Sequence, residues 1–160
     1  MKNLILVRHG KSSYENVTDD KSREISAIGI ERTIKVALDS KNYIHKNATF
    51  WSSSASRAAA TALIYAEIYA IALNSIHFKD ELYTFDEAAL QKIISEIPNE
   101  INSIIIFGHN PAFTNFINNN TNLNIDNLPT SGMVVIEFES NNWMNLPKGK
   151  VIKTVFAKDL

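Results

Sequence analysis

A three-layer α/β sandwich, with a mostly parallel central sheet flanked by helices, is the fold this sequence predicts, and three observations predict it. Short uninterrupted apolar runs, Leu4 to Val7 and Ser103 to Phe107, stop at glycine-bearing polar loops, as strands buried on both faces do. Stretches with apolar residues at helical spacing lie between such runs, so strand and helix alternate. The 160 residues, 45% hydrophobic and 21% charged, match the size and composition of one globular domain, here residues 1–160.

Taken in order, Leu4 to Val7 is the first strand, ended by Arg8-His9-Gly10. From Gly29 to Leu38 the residues Ile30, Ile34, Ala37 and Leu38 recur at helical spacing behind Ser26, a cap residue, which predicts the first helix. Ala48 to Trp51 reads as a second strand broken by Ser52-Ser53-Ser54, and the alanine-rich Ser56 to Leu73 as the strongest helix, with Arg57 at its N-terminus. Ile76 and Phe78 suggest a brief third strand. Asp86 or Glu87 then opens a helix with the stripe Leu90, Ile93, Ile94 and Ile97, ended by Pro98. The strand Ser103 to Phe107 runs into Gly108-His109-Asn110-Pro111 and a short helix bearing Phe113, Phe116 and Ile117. Asn118 to Asn127 reads as a polar loop, and Met133 to Glu139 and Val151 to Ala157 as half-exposed strands that close the sheet edge. In such a sheet, ligands bind beyond the carboxyl ends of the strands.

Composition narrows the function. Sixteen basic and seventeen acidic side chains give a net charge of −1, and the pI is near 6.4, so no global field holds a nucleic acid and any phosphate affinity is local. Cysteine is absent, which removes disulfides, thiolate metal sites and cysteine nucleophiles and suits a reducing cytoplasm. The N-terminal apolar run is shorter than the roughly 7–15 residues of a signal peptide core, so no export is expected. The greasy stretch from Ala58 to Leu73 carries Glu67 and falls short of the ~20 residues that cross a bilayer, so no membrane association is expected. The four histidines show no paired-ligand spacing, so no metal or other cofactor is expected; His45 and His77 read as a surface residue and a strand residue. Phe113, Phe116 and Trp143 read as core packing.

Chemistry concentrates where strands end. His9 and His109 each follow a buried strand directly, and Arg8 and Arg57 stand at a strand end and a helix start, so the four converge on one edge of the sheet. A phosphoryl group is served by this set: arginines bind its oxygens in bidentate fashion, a helix N-terminus adds partial positive charge, and a neutral imidazole can attack phosphorus.

Leu6-Val7-Arg8-His9-Gly10 resembles the Arg-His-Gly signature of the histidine phosphatase superfamily, whose fold is phosphoglycerate-mutase-like. Ser52-Ser53-Ser54-Ala55-Ser56-Arg57-Ala58 resembles its second motif and Gly108-His109-Asn110-Pro111 its third. Leu128-Pro129-Thr130 followed by a strand resembles the small bacterial branch typified by SixA-type phosphohistidine phosphatases. The order and spacing of the motifs agree along the whole chain.

The resemblance implies that His9 attacks phosphorus and becomes phosphohistidine, that Arg8, Arg57 and His109 hold the phosphoryl oxygens, and that water completes hydrolysis without a metal. Glu81, in Asp80-Glu81-Leu82-Tyr83, resembles the segment that bears the family's general acid, with Asp80, Asp86 and Glu87 as nearby alternatives. Lys11, Ser12 and Asn110 are secondary candidates that shape the loops. Ser54 stands where proline is common, Ala112-Phe113 where glycine often follows, and Lys11 where many relatives carry an acidic residue, although the small branch often has lysine then serine. About fifty residues separate Arg57 from His109, enough for a strand, a helix and a strand but for no cap domain, so the site is expected to be open. An open site admits a phosphohistidine on another protein or a small phosphorylated metabolite. A phosphoprotein-binding module without turnover is the reading from a different class, and the intact His9 argues against it.

Overall fold

The computed structural model describes residues 1–15 and 19–160. Strand β1 (Lys2–Arg8) leads to helix α1 (Ala27–Asp39), then β2 (Thr49–Ser53), α2 (Ser56–Ile68), β3 (Ile76–Lys79), α3 (Glu87–Ser95), β4 (Ser103–Gly108), α4 (Ala112–Asn120), β5 (Met133–Phe138) and β6 (Lys150–Val155). The strands form one six-stranded sheet in the order β3-β2-β4-β1-β5-β6. β1, β2, β3 and β4 are mutually parallel, and β5 runs against both of its neighbours, β1 and β6. The expected three-layer sandwich with a mostly parallel sheet is therefore the fold observed.

Alternation along the central strands feeds two cores. Leu4, Leu6, Ile104 and Ile106 face Leu90, Ile94, Phe113, Phe116 and Trp143 on the side of α3 and α4. Ile5, Val7, Ile105 and Phe107 face Val36, Ala62, Tyr65 and Ala66 on the side of α1 and α2. Burying each such side chain fully contributes roughly 1.5–3 kcal/mol, which is why the strands carry no polar residue between Leu4 and Val7 or between Ile104 and Phe107.

Five local readings differ from the structure. Ser26 does cap α1, accepting from the Gly29 amide, but the helix buries Gly29, Thr33, Val36 and Ala37. Ile30, Ile34 and Leu38 are between 38% and 56% exposed. The close approach at Gly29, where a Cβ would strike the Lys11 backbone, and a 2.9 Å hydrogen bond between the Thr33 and Ser131 hydroxyls fix the helix's rotation. β2 does not break at Ser52 but continues through Ser53, because those hydroxyls are bonded locally: Ser52 donates to the Ser53 carbonyl and Ser53 accepts from the Ala55 amide. α2 stops at Ile68 instead of reaching Leu73. There Ala70 turns left-handed at φ 56°, with its N–H on the Glu67 carbonyl and the Ile71 N–H on the Ala66 carbonyl, which closes the helix end. α4 extends through Asn120, whose side chain donates to the Phe116 carbonyl, so the polar loop starts later than Asn118. β5 is buried almost throughout, because it lies beside β1 inside the sheet; β6 takes the edge.

Candidate active site

Register builds the site. β1 and β4 pair with Arg8 opposite Gly108, so His9 and His109 leave adjacent strands at the same level. The His9 amide donates to the Gly108 carbonyl at 3.1 Å, and the two rings stand 5.2 Å apart between centroids. β2 pairs with β4 with Ser52 opposite Phe107, which brings Ser53 alongside: its Oγ lies 2.8 Å from His109 Nε2. Arg57, in the first turn of α2, sends its side chain back under this edge and is 2% exposed.

The tautomer of His9 follows from its partner. His9 Nδ1 is 2.7 Å from the Gly10 carbonyl, which can only accept, so Nδ1 carries the proton and Nε2 keeps its lone pair. Arg57 Nε approaches that nitrogen at 3.3 Å. Ser53 Oγ accepts from the Ala55 amide and meets His109 Nε2 at 2.8 Å, a contact that either neutral tautomer of His109 can make. His109 Nδ1 is buried and has no partner among the described residues.

Burial and surrounding cations hold both rings neutral. Desolvation, with the charges of Arg57, Arg8 and Arg23, pushes His9 down to about 4 against the raising effect of the Gly10 hydrogen bond. Desolvation, His9 and Arg57 push His109 down to about 3. Burial and the Arg57 charge lower Arg8 as well, an arrangement that an incoming dianion would relieve. Arg8 donates through Nη1 to the Leu128 carbonyl at 2.8 Å, and Asn110 Nδ2 donates to the same carbonyl at 3.0 Å, which ties the Leu128-Pro129-Thr130 turn to the site.

The sequence does not single out Asp20, Arg23 and Tyr83, which meet beside Arg57, or Tyr14 and Phe85 on the cavity wall. Asp20 accepts from Arg57 Nη2 at 3.0 Å, from Arg23 Nε at 3.1 Å and from the Tyr83 hydroxyl at 2.5 Å. The Tyr83 hydrogen bond, then those of Arg57 and Arg23, hold its carboxyl well below the usual range, so it is ionised. Arg23 also donates to Ser12 Oγ at 2.5 Å and lays its guanidinium 4.5 Å from the Tyr14 ring centroid. An acidic pair and an arginine between the first motif and α1 are the signal in Asp19-Asp20-Lys21-Ser22-Arg23; without periodicity or a motif they read as loop.

Arg8, His9, Asp20, Arg23, Arg57 and Phe85 line a cavity of about 280 Å³, with Lys11, Ser12, Tyr14, Asn110 and Thr130 completing its wall. His109 lies beneath it, against His9. Glu81 sits exposed on a single turn, Asp80–Leu82, outside that wall, and makes no side-chain hydrogen bond among the described residues. The other three carboxylates are engaged: Asp80 with Ser54 and Lys21, Asp86 capping α3, and Glu87 with Gln91 and Asn119. A larger cleft, about 850 Å³, lies at the opposite ends of the strands around Asn3, His45 and Ser103, and neither lysine nor arginine lines it. Among the described residues, no helix is long and apolar enough to cross a membrane.

No family model matches the chain, and no curated protein matches it by sequence. Solved structures do. The SixA protein of Agrobacterium tumefaciens superposes with a TM-score of 0.79 at 18% identity, over 96% of this chain and 97% of that one. A protein histidine phosphatase SixA complexed with tungstate gives 0.79 at 16% identity over 98% of each chain. A mycobacterial glucosyl-3-phosphoglycerate phosphatase in complex with VO3 gives 0.72 at 10% identity, over 96% of this chain and 98% of that one. The segment between α2 and β4 holds β3, α3 and short turns, and no cap domain is present among the described residues. At these identities the likeness establishes architecture: the chain carries the phosphoglycerate-mutase-like fold of the histidine phosphatases, in the small form of the SixA structures.

Proposed function

We propose that this protein is a phosphatase that works through a covalent phosphohistidine on His9, with phosphohistidine carried by another protein as its substrate. The observation that carries the reading is a neutral imidazole whose unprotonated Nε2 accepts a long, 3.3 Å hydrogen bond from Arg57 at the carboxyl end of β1. His9 Nε2 attacks phosphorus in line, the bond from phosphorus to the leaving nitrogen breaks, and the departing imidazole takes a proton. Water then attacks the phosphoryl group on His9, the P–N electron pair returns to Nε2, and inorganic phosphate leaves. Arg8, Arg23 and Arg57 supply the positive field that the equatorial oxygens require, with His109 adding an N–H donor in the tautomer that carries its proton on Nδ1, so we assign the reaction no metal or other cofactor.

The carboxylates favour a nitrogen leaving group. Asp20, the carboxylate on the cavity wall, is held ionised and cannot donate a proton at neutral pH. We assign the acid role for alkoxide leaving groups to Glu81, the one of the four sequence candidates without a hydrogen bond, which has to reach in from outside the wall. An imidazole leaving group can draw its proton from solvent and needs no placed acid. Tungstate and VO3 in two of the similar structures are oxyanions of the kind this cradle suits. The mycobacterial neighbour, a glucosyl-3-phosphoglycerate phosphatase, supports a small phosphorylated metabolite as the second reading.

The test is kcat/KM for a phosphohistidine protein against a panel of small phosphate esters. The proposal expects the phosphohistidine protein to be favoured by at least about tenfold; an alkyl ester turned over faster would move the assignment to metabolite hydrolysis.

A further inference from the structure

Resting on the phosphatase reading above, we infer that Phe85 is a specificity residue: its ring is a platform on which a planar aromatic leaving group stacks while the phosphoryl group lies in the arginine cradle. Phe85 is 45% exposed and lines the cavity, whose other walls are made largely of charged and polar groups. Its ring is nonetheless held. It meets the His109 ring edge to face at 5.5 Å and 78°, and the Tyr83 ring at 5.5 Å and 77°. Tyr83 in turn meets His109 at 5.4 Å and donates its hydroxyl to Asp20. The three rings form a cluster whose inner members are fixed by the catalytic edge and whose outer member, Phe85, faces the cavity.

Position gives this ring its meaning. His109 stands 5.2 Å from His9, so Phe85 is one ring removed from the attacking nitrogen and lines the same cavity. Aromatic faces favour planar π-systems over saturated groups of equal size, because stacking adds to the burial both would gain. The imidazole of phosphohistidine and the phenol of phosphotyrosine share this chemistry; sugars and glycerates do not.

Phosphonates test the stacking apart from turnover, since their C–P bond is not cleaved. Dissociation constants are measured by calorimetry for methyl-, cyclohexyl- and phenylphosphonate against the parent, Phe85→Ala and Phe85→Tyr. The expected result is that the parent prefers phenyl to cyclohexyl by roughly three- to tenfold, that Phe85→Ala abolishes the preference while binding methylphosphonate within about twofold of the parent, and that Phe85→Tyr restores it. A parent without the preference overturns the inference, as does a preference that survives in Phe85→Ala. Equal weakening of all three ligands in Phe85→Ala also overturns it, assigning the ring to support of His109 instead. A parent that binds no phosphonate overturns both the cradle and the platform. A parent that shows the preference yet turns over no phosphorylated substrate upholds the platform and sinks the phosphatase reading. Turnover of a phosphohistidine peptide against a phosphotyrosine peptide of the same sequence then names which ring is the natural one, and a loss confined to that peptide in Phe85→Ala supports the inference.

Discussion

The protonation of His9 offers the most quantitative consequence of the site. An ordinary histidine titrates near 6.5, and His9 is pushed down to about 4. At pH 5.5 the ring is therefore about 97% neutral, where an unperturbed one would be about 9% neutral. Because the folded value of this base lies below its unfolded value, the unfolded chain binds the proton more readily. The sign is fixed: the ring imposes no penalty on the fold above about pH 7, and one that grows as pH falls from 6.5 towards 4, reaching about 2 kcal/mol at pH 5. The measurement is an NMR titration of the histidine Cε1–H resonances, with the His9 signal assigned by its loss in His9→Gln. The expected trace is flat from pH 8 to 5 and bends near 4; urea unfolding at pH 7 and 5 should show His9→Gln losing less stability on acidification than the parent. A His9 midpoint near 6.5 would refute the reasoning, because it would mean that water and counterions reach the ring and that its neutrality is not built in.

Three further outcomes follow. Arg57→Lys should lower kcat/KM by roughly 10²–10³, the scale of a lost transition-state donor, because lysine cannot hold Asp20 and His9 at once as the guanidinium does and still offer a donor to a phosphoryl oxygen; steady-state kinetics within twofold of the parent would remove Arg57 from the cradle. Glu81→Gln should leave phosphohistidine turnover within about twofold while slowing an alkyl phosphate by about 10² or more, the scale of proton transfer; equal effects on both substrates would end its role as acid. Ala70→Gly should raise stability by up to about 1 kcal/mol in thermal unfolding, since Ala70 holds φ 56° at the end of α2 and glycine adopts that conformation freely; a loss of stability would argue against the left-handed cap.

Much of the fold, and the gathering of Arg8, His9, Arg57 and His109 at one sheet edge, was readable because it is written in contiguous residues. A run of apolar residues that stops at Arg8-His9-Gly10 or at Gly108-His109 specifies both a buried strand and the place where its chemistry emerges, and the parallel register does the rest. What was not readable depends on partners far apart in the chain. Asp20 acquires its role from Arg57, 37 residues on, and from Tyr83, 63 residues on. The end of α2 was hidden because alanine, not glycine, adopts the left-handed turn. The buried side of α1 was misjudged because counting apolar residues ranks Ile30, Ile34 and Leu38 above Gly29 and Thr33, whereas small size at the contact decides how the helix docks. β5 read as half-exposed because its place beside β1 is a property of topology.

In the proposed reaction His9 Nε2 carries the phosphoryl group between substrate and water. Mixing enzyme and labelled substrate for milliseconds, quenching in alkaline denaturant and mapping the adduct by mass spectrometry tests it most directly. The expected result is a single phosphoryl group on His9, stable to alkali, lost in acid, and absent from His9→Gln, which should also lose turnover. Label on a serine or on His109, or full turnover by His9→Gln, would contradict it.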